Sequence, residues 1–133
     1  MTAKSYIKVS DVMTTEIKTI DATATVADAI QVMRDSGVSS LIAERRDEAD
    51  EYGLIVVSDI AKHVIAENRA PERVNVYEVM SKPVLTVAAD MNIRYAVRLL
   101  VQFGLSRALV VDQNRIPVGL ATLRDMVLRH VED

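Results

Sequence analysis

Near one end the chain reads Gly119-Leu120-Ala121-Thr122-Leu123-Arg124-Asp125, which brings a hydroxyl, a guanidinium and a carboxylate into a few consecutive residues. An apolar run gives way to a helical pattern here, so the three groups stand where a strand turns into a helix. Such a set suits a nucleotide. The Asp125 carboxylate can accept from both ribose hydroxyls, and Thr122 can donate to ribose or phosphate oxygens. Arg124, with the helix N-terminus, can offset phosphate charge. The same residues also fit a capping box, with Thr122 at the N-cap and Asp125 at the third helical position. An earlier segment, Gly53-Leu54-Ile55-Val56-Val57-Ser58-Asp59, keeps the glycine and the Asp but has Val56 in place of the hydroxyl. Ser58 could cap a helix there instead, and Asp59 near a helix start is favourable to the dipole in any case.

Other reactive residue types carry less. Asp47, Glu48, Asp50 and Glu51 lack the glycine turn and closing Glu of a calcium loop and read as a solvated loop. His63 and His130 have no partner at metal-ligand spacing, so no metal site is expected. Lys4, Lys8, Arg34, Arg45 and Arg46 form no compact basic stripe, and Phe103 is the only Phe, which argues against nucleic acid as a partner. Met13 and Met80 read as packing residues. No Walker loop and no nucleophile with its base is visible, and the chain is expected not to be an enzyme.

The two Gly-to-Asp segments belong to a larger duplication. A shift of 67 residues lays Val12-Met13 on Val79-Met80, Thr19 on Thr86, Ala22 on Ala89, Ala29 on Ala96, Gly37 on Gly104 and Ser39 on Ser106. Past the following loop the shift becomes 66, placing Gly53 on Gly119 and Asp59 on Asp125. The second copy has therefore lost one loop residue, where indels are tolerated. In both copies apolar residues fall at helical spacing: Val26, Ala29, Ile30 and Met33 in one, Ile93, Ala96, Val97 and Leu100 in the other. Gly37 and Gly104 are placed as C-terminal helix caps. Strands are expected at Leu41 to Ala43, Gly53 to Val57, Ala108 to Val111 and Pro117 to Thr122, with second helices starting near Ser58 and Leu123. Each copy thus reads strand, helix, strand, strand, helix. Asn68 to Asn75, with Pro71 at its centre, breaks the pattern as a connector. The expected division is 1–68 for the first copy with its lead-in, 69–75 for the connector and 76–133 for the second copy.

Bulk properties set the outer bounds. The 133 residues are half apolar, enough for one compact unit with a core, and the net charge of −3 makes no strong field for polyanions or anionic membranes. Cysteine is absent, which removes disulfides, thiolate metal sites and thiol catalysis. No stretch approaches the length of a membrane span, and the expected location is the cytoplasm.

Taken together, the paired Val-Met, the strand reaching Thr, the helix closed by Gly, the Ser-containing strand and the final Gly-apolar-apolar-Thr-x-x-Asp resemble the CBS domain family over about Val9 to Val131. The resemblance implies an α/β (α+β) fold of two CBS motifs, each β-α-β-β-α, packed by pseudo-twofold symmetry into one CBS pair, or Bateman module. Family members often form homodimers and accept AMP, ADP, ATP or S-adenosylmethionine in clefts between the motifs, and many regulate a fused or partner protein. Carried over by position, one cleft would combine Lys18, Val38 and Ser39 with Leu120, Thr122, Arg124 and Asp125, backbone groups near Lys18 and Val38 reading the adenine edge. The second would combine Pro83, Leu85, Leu105, Ser106 and Arg107 with Leu54, Val56 and Asp59, and would bind more weakly for want of a hydroxyl at Val56. The implied function is an adenine-nucleotide sensor acting on an effector protein, with no catalytic cofactor. Two alternatives stand beside it: a ligand-free dimerisation or interaction module, and a binder of S-adenosylmethionine or a dinucleotide.

Overall fold

The computed structural model describes residues 6–131. Its elements run α1 (Val9–Val12), β1 (Thr19–Ile20), α2 (Val26–Ser36), β2 (Ser40–Ala43), β3 (Gly53–Val56), α3 (Val57–Ile60), β4 (Thr86–Ala88), α4 (Ile93–Phe103), β5 (Arg107–Val111), β6 (Pro117–Thr122) and α5 (Leu123–Val131). They make two three-stranded sheets, ordered β1-β2-β3 and β4-β5-β6, in each of which the first pair is parallel and the second antiparallel. The strand, helix, strand, strand, helix order expected for each copy is the one observed. Among the described residues no helix is long and apolar enough to cross a membrane.

The long helices follow from local signals. Thr25 and Asp28 close a capping box at the start of α2, where Thr25 Oγ1 accepts from the Asp28 N–H at 3.1 Å and Asp28 Oδ2 accepts from the Thr25 N–H at 3.2 Å. Asn92 Oδ1 caps α4 by accepting from the Arg94 N–H at 2.9 Å. Both helices stop at a glycine in the left-handed conformation, Gly37 at φ 70° and Gly104 at φ 65°, which a side chain would strain. Their buried faces are the expected ones: Val26, Ala29 and Met33 on α2, and Ile93, Ala96 and Leu100 on α4.

The chain packs as two compact units, and their membership crosses the repeat. One comprises Lys18–Val84; the other joins the described residues up to Ile17 with the described residues from Leu85 onward. Each lead-in therefore packs against the sheet of the other copy. In the first unit Val76 and Tyr77 donate backbone bonds to Ala24 and Ala22 at 2.8 and 3.0 Å. In the second, Val9 and Ser10 donate to Met91 and Ala89, the residues a shift of 67 makes equivalent, at 2.8 and 2.9 Å. Even the lead-in turns match: Asp11 Oδ2 accepts from the Lys8 N–H at 3.0 Å, and Glu78 Oε2 from the Asn75 N–H at 2.9 Å.

The core of the first unit gathers Val26, Ala29, Leu41, Ile55, Val64 and Val76, and that of the second gathers Val9, Ala96, Leu100, Val110, Ala121 and Met126. Val57 departs from expectation: it is the first residue of α3 rather than the last of β3, because its N–H donates to the Ser39 carbonyl at 3.0 Å and closes the sheet there. After Ile60 the helix widens into a π turn over Ala61–Ile65, marked by the Ala66 N–H reaching the Ala61 carbonyl at 2.8 Å. The connector holds one 3₁₀ turn, Pro71–Arg73, preceded by Asn68 at φ 56°, and a second 3₁₀ turn, Val76–Glu78, follows at the start of the second copy.

Candidate functional site

The Val-Met pairs and the Gly-to-Asp segments, far apart in sequence, meet in each unit. Met13 Sδ lies where a Cβ on Gly119 would stand, 2.7 Å away, and the Thr14 carbonyl is as close; in the other unit Met80 Sδ and the Ser81 carbonyl crowd Gly53 at 2.7 and 3.2 Å. At Gly119 a side chain would run into the Thr14 backbone carbonyl, whereas at Gly53 the closest atom is the end of a flexible side chain. The next residues then exchange backbone bonds. Thr14 gives and takes a bond with Leu120 at 2.9 Å each, and Ser81 does so with Leu54 at 2.8 and 2.9 Å. The methionines are thus packing residues, as expected. Leu54 and Leu120 are buried, with their backbone groups engaged, so they shape the end of the strand rather than offer polar groups.

Beyond those leucines each strand runs straight into its helix. In the second unit Leu123 N–H donates to the Ser106 carbonyl at 2.8 Å, the counterpart of Val57 to Ser39, so the start of β5 and the end of β6 are held side by side with Arg107 opposite Thr122. Thr122 Oγ1 accepts from the Asp125 N–H at 3.1 Å, so the capping role is realised. A hydroxyl that accepts in this way still has a proton to donate. The Asp125 side chain is 39% exposed, with the 79% exposed Arg124 guanidinium 3.6 Å from its Oδ1. This turn therefore presents an accepting carboxylate, a cation and a donor-capable hydroxyl, as the sequence suggested.

At the matching turn of the first unit α3 has Val56 at its N-cap and no side-chain cap. Ser58 does not cap, contrary to the alternative raised from sequence, because it sits at the second helical position, past the point from which a side chain reaches back to the first turn. Asp59 occupies the third position, as Asp125 does, and is half-buried. Lys18 and Ser39 are exposed and Val38 half-buried; the Lys18 carbonyl accepts from Ile42 N–H at 2.9 Å, and Val38 N–H donates to Met33 at 3.2 Å. Lys18, Val38, Ser39, Leu54, Val56, Asp59 and Pro83 belong to the first unit; Leu85, Leu105, Ser106, Arg107, Leu120, Thr122, Arg124 and Asp125 belong to the second. Thr14 and Ser81, which brace the two turns, were not singled out from sequence, although the shift of 67 places one on the other.

The acidic loop differs from its expectation at one residue. Asp50, whose side chain is only 10% exposed, meets Lys82 Nζ at 2.7 Å and accepts from the Arg46 N–H and Nε at 3.0 and 3.3 Å. Lys82 and then the Arg46 N–H hold its carboxyl well below the usual carboxylate range. These groups line a depression of about 730 Å³ together with Asp21, Glu44, Arg45 and Tyr77. His63 is exposed; the His130 side chain and Lys4 lie outside the described residues. Among the described residues no cluster of His, Asp and Glu could hold a metal ion.

Two stretches, residues 9–66 and 76–131, match the family model of the CBS domain. The chain belongs to the CBS domain family. Its two CBS motifs are 31% identical over 122 residues to an uncharacterised protein of Methanopyrus kandleri, covering 91% of this chain but only 61% of that relative's length. Among solved structures, a hexameric CBS-CP12 protein from bloom-forming cyanobacteria superposes with a TM-score of 0.89 at 33% identity, over 93% of this chain and 68% of that one. The CBS pair also shares its fold with two more distant structures. One is the CBS domain of a bacterial CNNM/CorC family Mg2+ transporter in complex with ATP, with a TM-score of 0.76 at 23% identity over 95% and 88% of the chains. The other is a CBS domain protein of Pyrobaculum aerophilum complexed with AMP, with a TM-score of 0.79 at 16% identity over 96% and 100%.

Proposed function

We propose that this CBS pair binds an adenine nucleotide and, through it, regulates another protein. The turn from β6 into α5 carries the reading: Asp125 offers a half-exposed carboxylate to a ribose, Thr122 keeps a proton to donate while capping the helix, and Arg124 stands beside them for phosphate. Lys18, Val38 and Ser39 would complete the principal cleft. The second, built on Asp59 and Val56 with Pro83, Leu85, Leu105, Ser106 and Arg107, lacks the hydroxyl and would bind several-fold more weakly. That fold-sharing pairs were captured with AMP and with ATP supports a nucleotide as the ligand class. The ligand shifts the pair only by its differential affinity for two states, so regulation requires measurable coupling to the effector or to a second copy. Val101 and Phe103 on α4 and Val127 and Leu128 on α5 are exposed apolar side chains that such a partner could cover.

The observed cap favours a second reading, in which Thr122 and Asp125 only terminate a helix and the pair is an interaction module without ligand. Calorimetric titration of nucleotide-stripped protein with AMP, ADP, ATP and S-adenosylmethionine, repeated on Asp125→Ala, separates the two. Saturable binding that the substitution abolishes supports the sensor. Absence of binding by all four ligands counts against the sensor and favours the interaction module.

A further inference from the structure

The depression beside the β2–β3 loop lies wholly within the unit Lys18–Val84 and shares no residue with the turns that carry the nucleotide reading. It sits at one end of the first sheet. Asp21 follows β1, Glu44, Arg45 and Arg46 follow β2, and Asp50 precedes β3. Lys82 comes just after the Ser81–Leu54 pair, on a segment tied again at Val84, whose N–H donates to the Tyr52 carbonyl at 3.0 Å. Lys82 Nζ meets Asp50 Oδ1 at 2.7 Å, and Arg46 gives Asp50 Oδ2 its backbone N–H at 3.0 Å and its Nε at 3.3 Å. Two cations thus share one carboxylate and one positive charge is left over. Both keep N–H groups to donate, the ammonium its other protons and the guanidinium those of its outer nitrogens. Arg45 adds a second charge: it lies 5.1 Å from the centre of the Tyr52 ring, and no carboxylate pairs with it among the described residues. The acceptors are Asp21, whose Oδ1 takes the Thr23 N–H and hydroxyl at 2.8 and 2.7 Å and leaves Oδ2, and the exposed Glu44, whose carboxylate has no partner among the described residues.

The second unit shows that the fold does not need this set. A shift of 67 puts Asp112, Gln113, Ser10 and Thr15 in the places of Arg45, Arg46, Tyr77 and Lys82. The lead-in still docks there in the same way, Met13 against Gly119 and Thr14 paired with Leu120. The shorter β5–β6 loop closes on itself, its Asp112 Oδ1 accepting from the N–H groups of Asn114 and Ile116 at 2.8 and 2.9 Å. The cations and the ring around the first depression therefore answer to something other than the docking of a lead-in.

We propose that this depression binds a small phosphorylated polyol of the sugar-phosphate class, the phosphate on Lys82, Arg46 and Arg45 and the hydroxyls on Glu44 and Asp21. A phosphate monoester carries about −1.5 to −2 charge near neutrality. That matches the charge left when the Asp50 carboxylate is set against its two cations and Arg45 is added; a single carboxylate on the ligand would leave one charge unmatched. Asp50 and Tyr52 already hold the cations, so less side-chain freedom is lost when the phosphate arrives. Glu44 and Asp21 repel a bare anion but accept from hydroxyls, which is why the phosphate must come on a hydroxyl-bearing carrier. The exposed Tyr77 ring offers its apolar face to the carbon skeleton. The volume of about 730 Å³ suits a molecule of this size.

The test is calorimetric titration of the full chain with glucose 6-phosphate, ribose 5-phosphate and glycerol 3-phosphate, beside inorganic phosphate and glucose. At least one ester is expected to bind saturably and about tenfold or more tightly than inorganic phosphate, and glucose not to bind. Arg45→Gln, which breaks no ion pair of the fold, is expected to weaken the ester roughly tenfold. Glu44→Ala should act with opposite signs, weakening the ester roughly three- to tenfold for want of an acceptor and tightening inorganic phosphate by removing a like charge. An Asp59→Ala, Asp125→Ala double variant is expected to bind the ester as wild type does. No ester binding with Kd below about 1 mM overturns the proposal. So does ester binding that Arg45→Gln leaves intact, or a Glu44→Ala effect of one sign on ester and inorganic phosphate alike, which would make the depression a plain anion site. Ester binding lost in the double variant would assign it to the nucleotide residues and overturn the proposal too, whereas failure of the nucleotide titrations leaves it standing.

Discussion

Thr122 shows how one side chain can serve both the helix and a ligand. Its oxygen accepts the Asp125 N–H, which is the whole of the capping role, and its proton remains available. Thr122→Val therefore removes two things at once: about 1 kcal/mol of stability in urea unfolding and the donor to nucleotide in titration. Thr122→Ser is expected to keep both. Asp125→Asn should leave stability within about 0.5 kcal/mol while nucleotide binding falls at least tenfold, since a half-exposed carboxylate contributes little to the fold. This turn was legible in sequence because its partners lie three residues apart. The Asp50–Lys82 pair was not, because no local pattern announces a contact between a loop and a segment far along the chain. Its pH dependence follows from the depressed carboxyl. An unfolded Asp titrates near about 3.9. A folded value below that makes the pair's contribution fully present above the unfolded value and lost only as pH falls through the folded one. Val84 protection, corrected for intrinsic exchange, should thus hold from neutrality to about pH 4.5 in wild type and be low throughout in Asp50→Asn.

At the scale of elements, the two glycines that open β3 and stand within β6 set how closely each lead-in approaches. A Cβ at Gly119 would meet a flexible Met13 sulfur and also a Thr14 backbone carbonyl, both at 2.7 Å, whereas at Gly53 the hard contact is the Ser81 carbonyl at 3.2 Å. A thioether can swing aside and a ladder carbonyl cannot. Gly119→Ala is accordingly expected to cost about 1–3 kcal/mol and Gly53→Ala distinctly less, by thermal or urea unfolding. The helix periods, the left-handed glycine stops and the strand order could all be read from the chain, since each depends on neighbours within a turn or two. The boundary at Val57 and the π turn after Ile60 could not. One depends on a bond to Ser39 in another strand, and nothing in the spacing of Ile60, Val64 and Ile65 distinguishes a widened turn from an α-helical one.

For the whole molecule the exchange of lead-ins matters most. The repeat in the sequence divides the chain between the copies, but Ile7 and Val9 are buried in the unit that begins again at Leu85. Hydrophobic patterning reports that a short helix has an apolar face and is silent on which of two similar sheets receives it. Burying two such side chains contributes on the order of 3–6 kcal/mol. That is a large share of the roughly 5–15 kcal/mol by which a domain is stable. A chain beginning at Lys18 should therefore keep the cooperative transition of the unit Lys18–Val84, which holds its own lead-in at Val76, and lose that of the other unit. A synthetic peptide of residues 6–17 added in trans should restore it in a concentration-dependent way, followed by circular dichroism melts. If the truncated chain melted like the full one, the lead-in would be an ornament on a self-sufficient second motif. Loss and rescue would make each CBS motif structurally dependent on sequence that precedes the other.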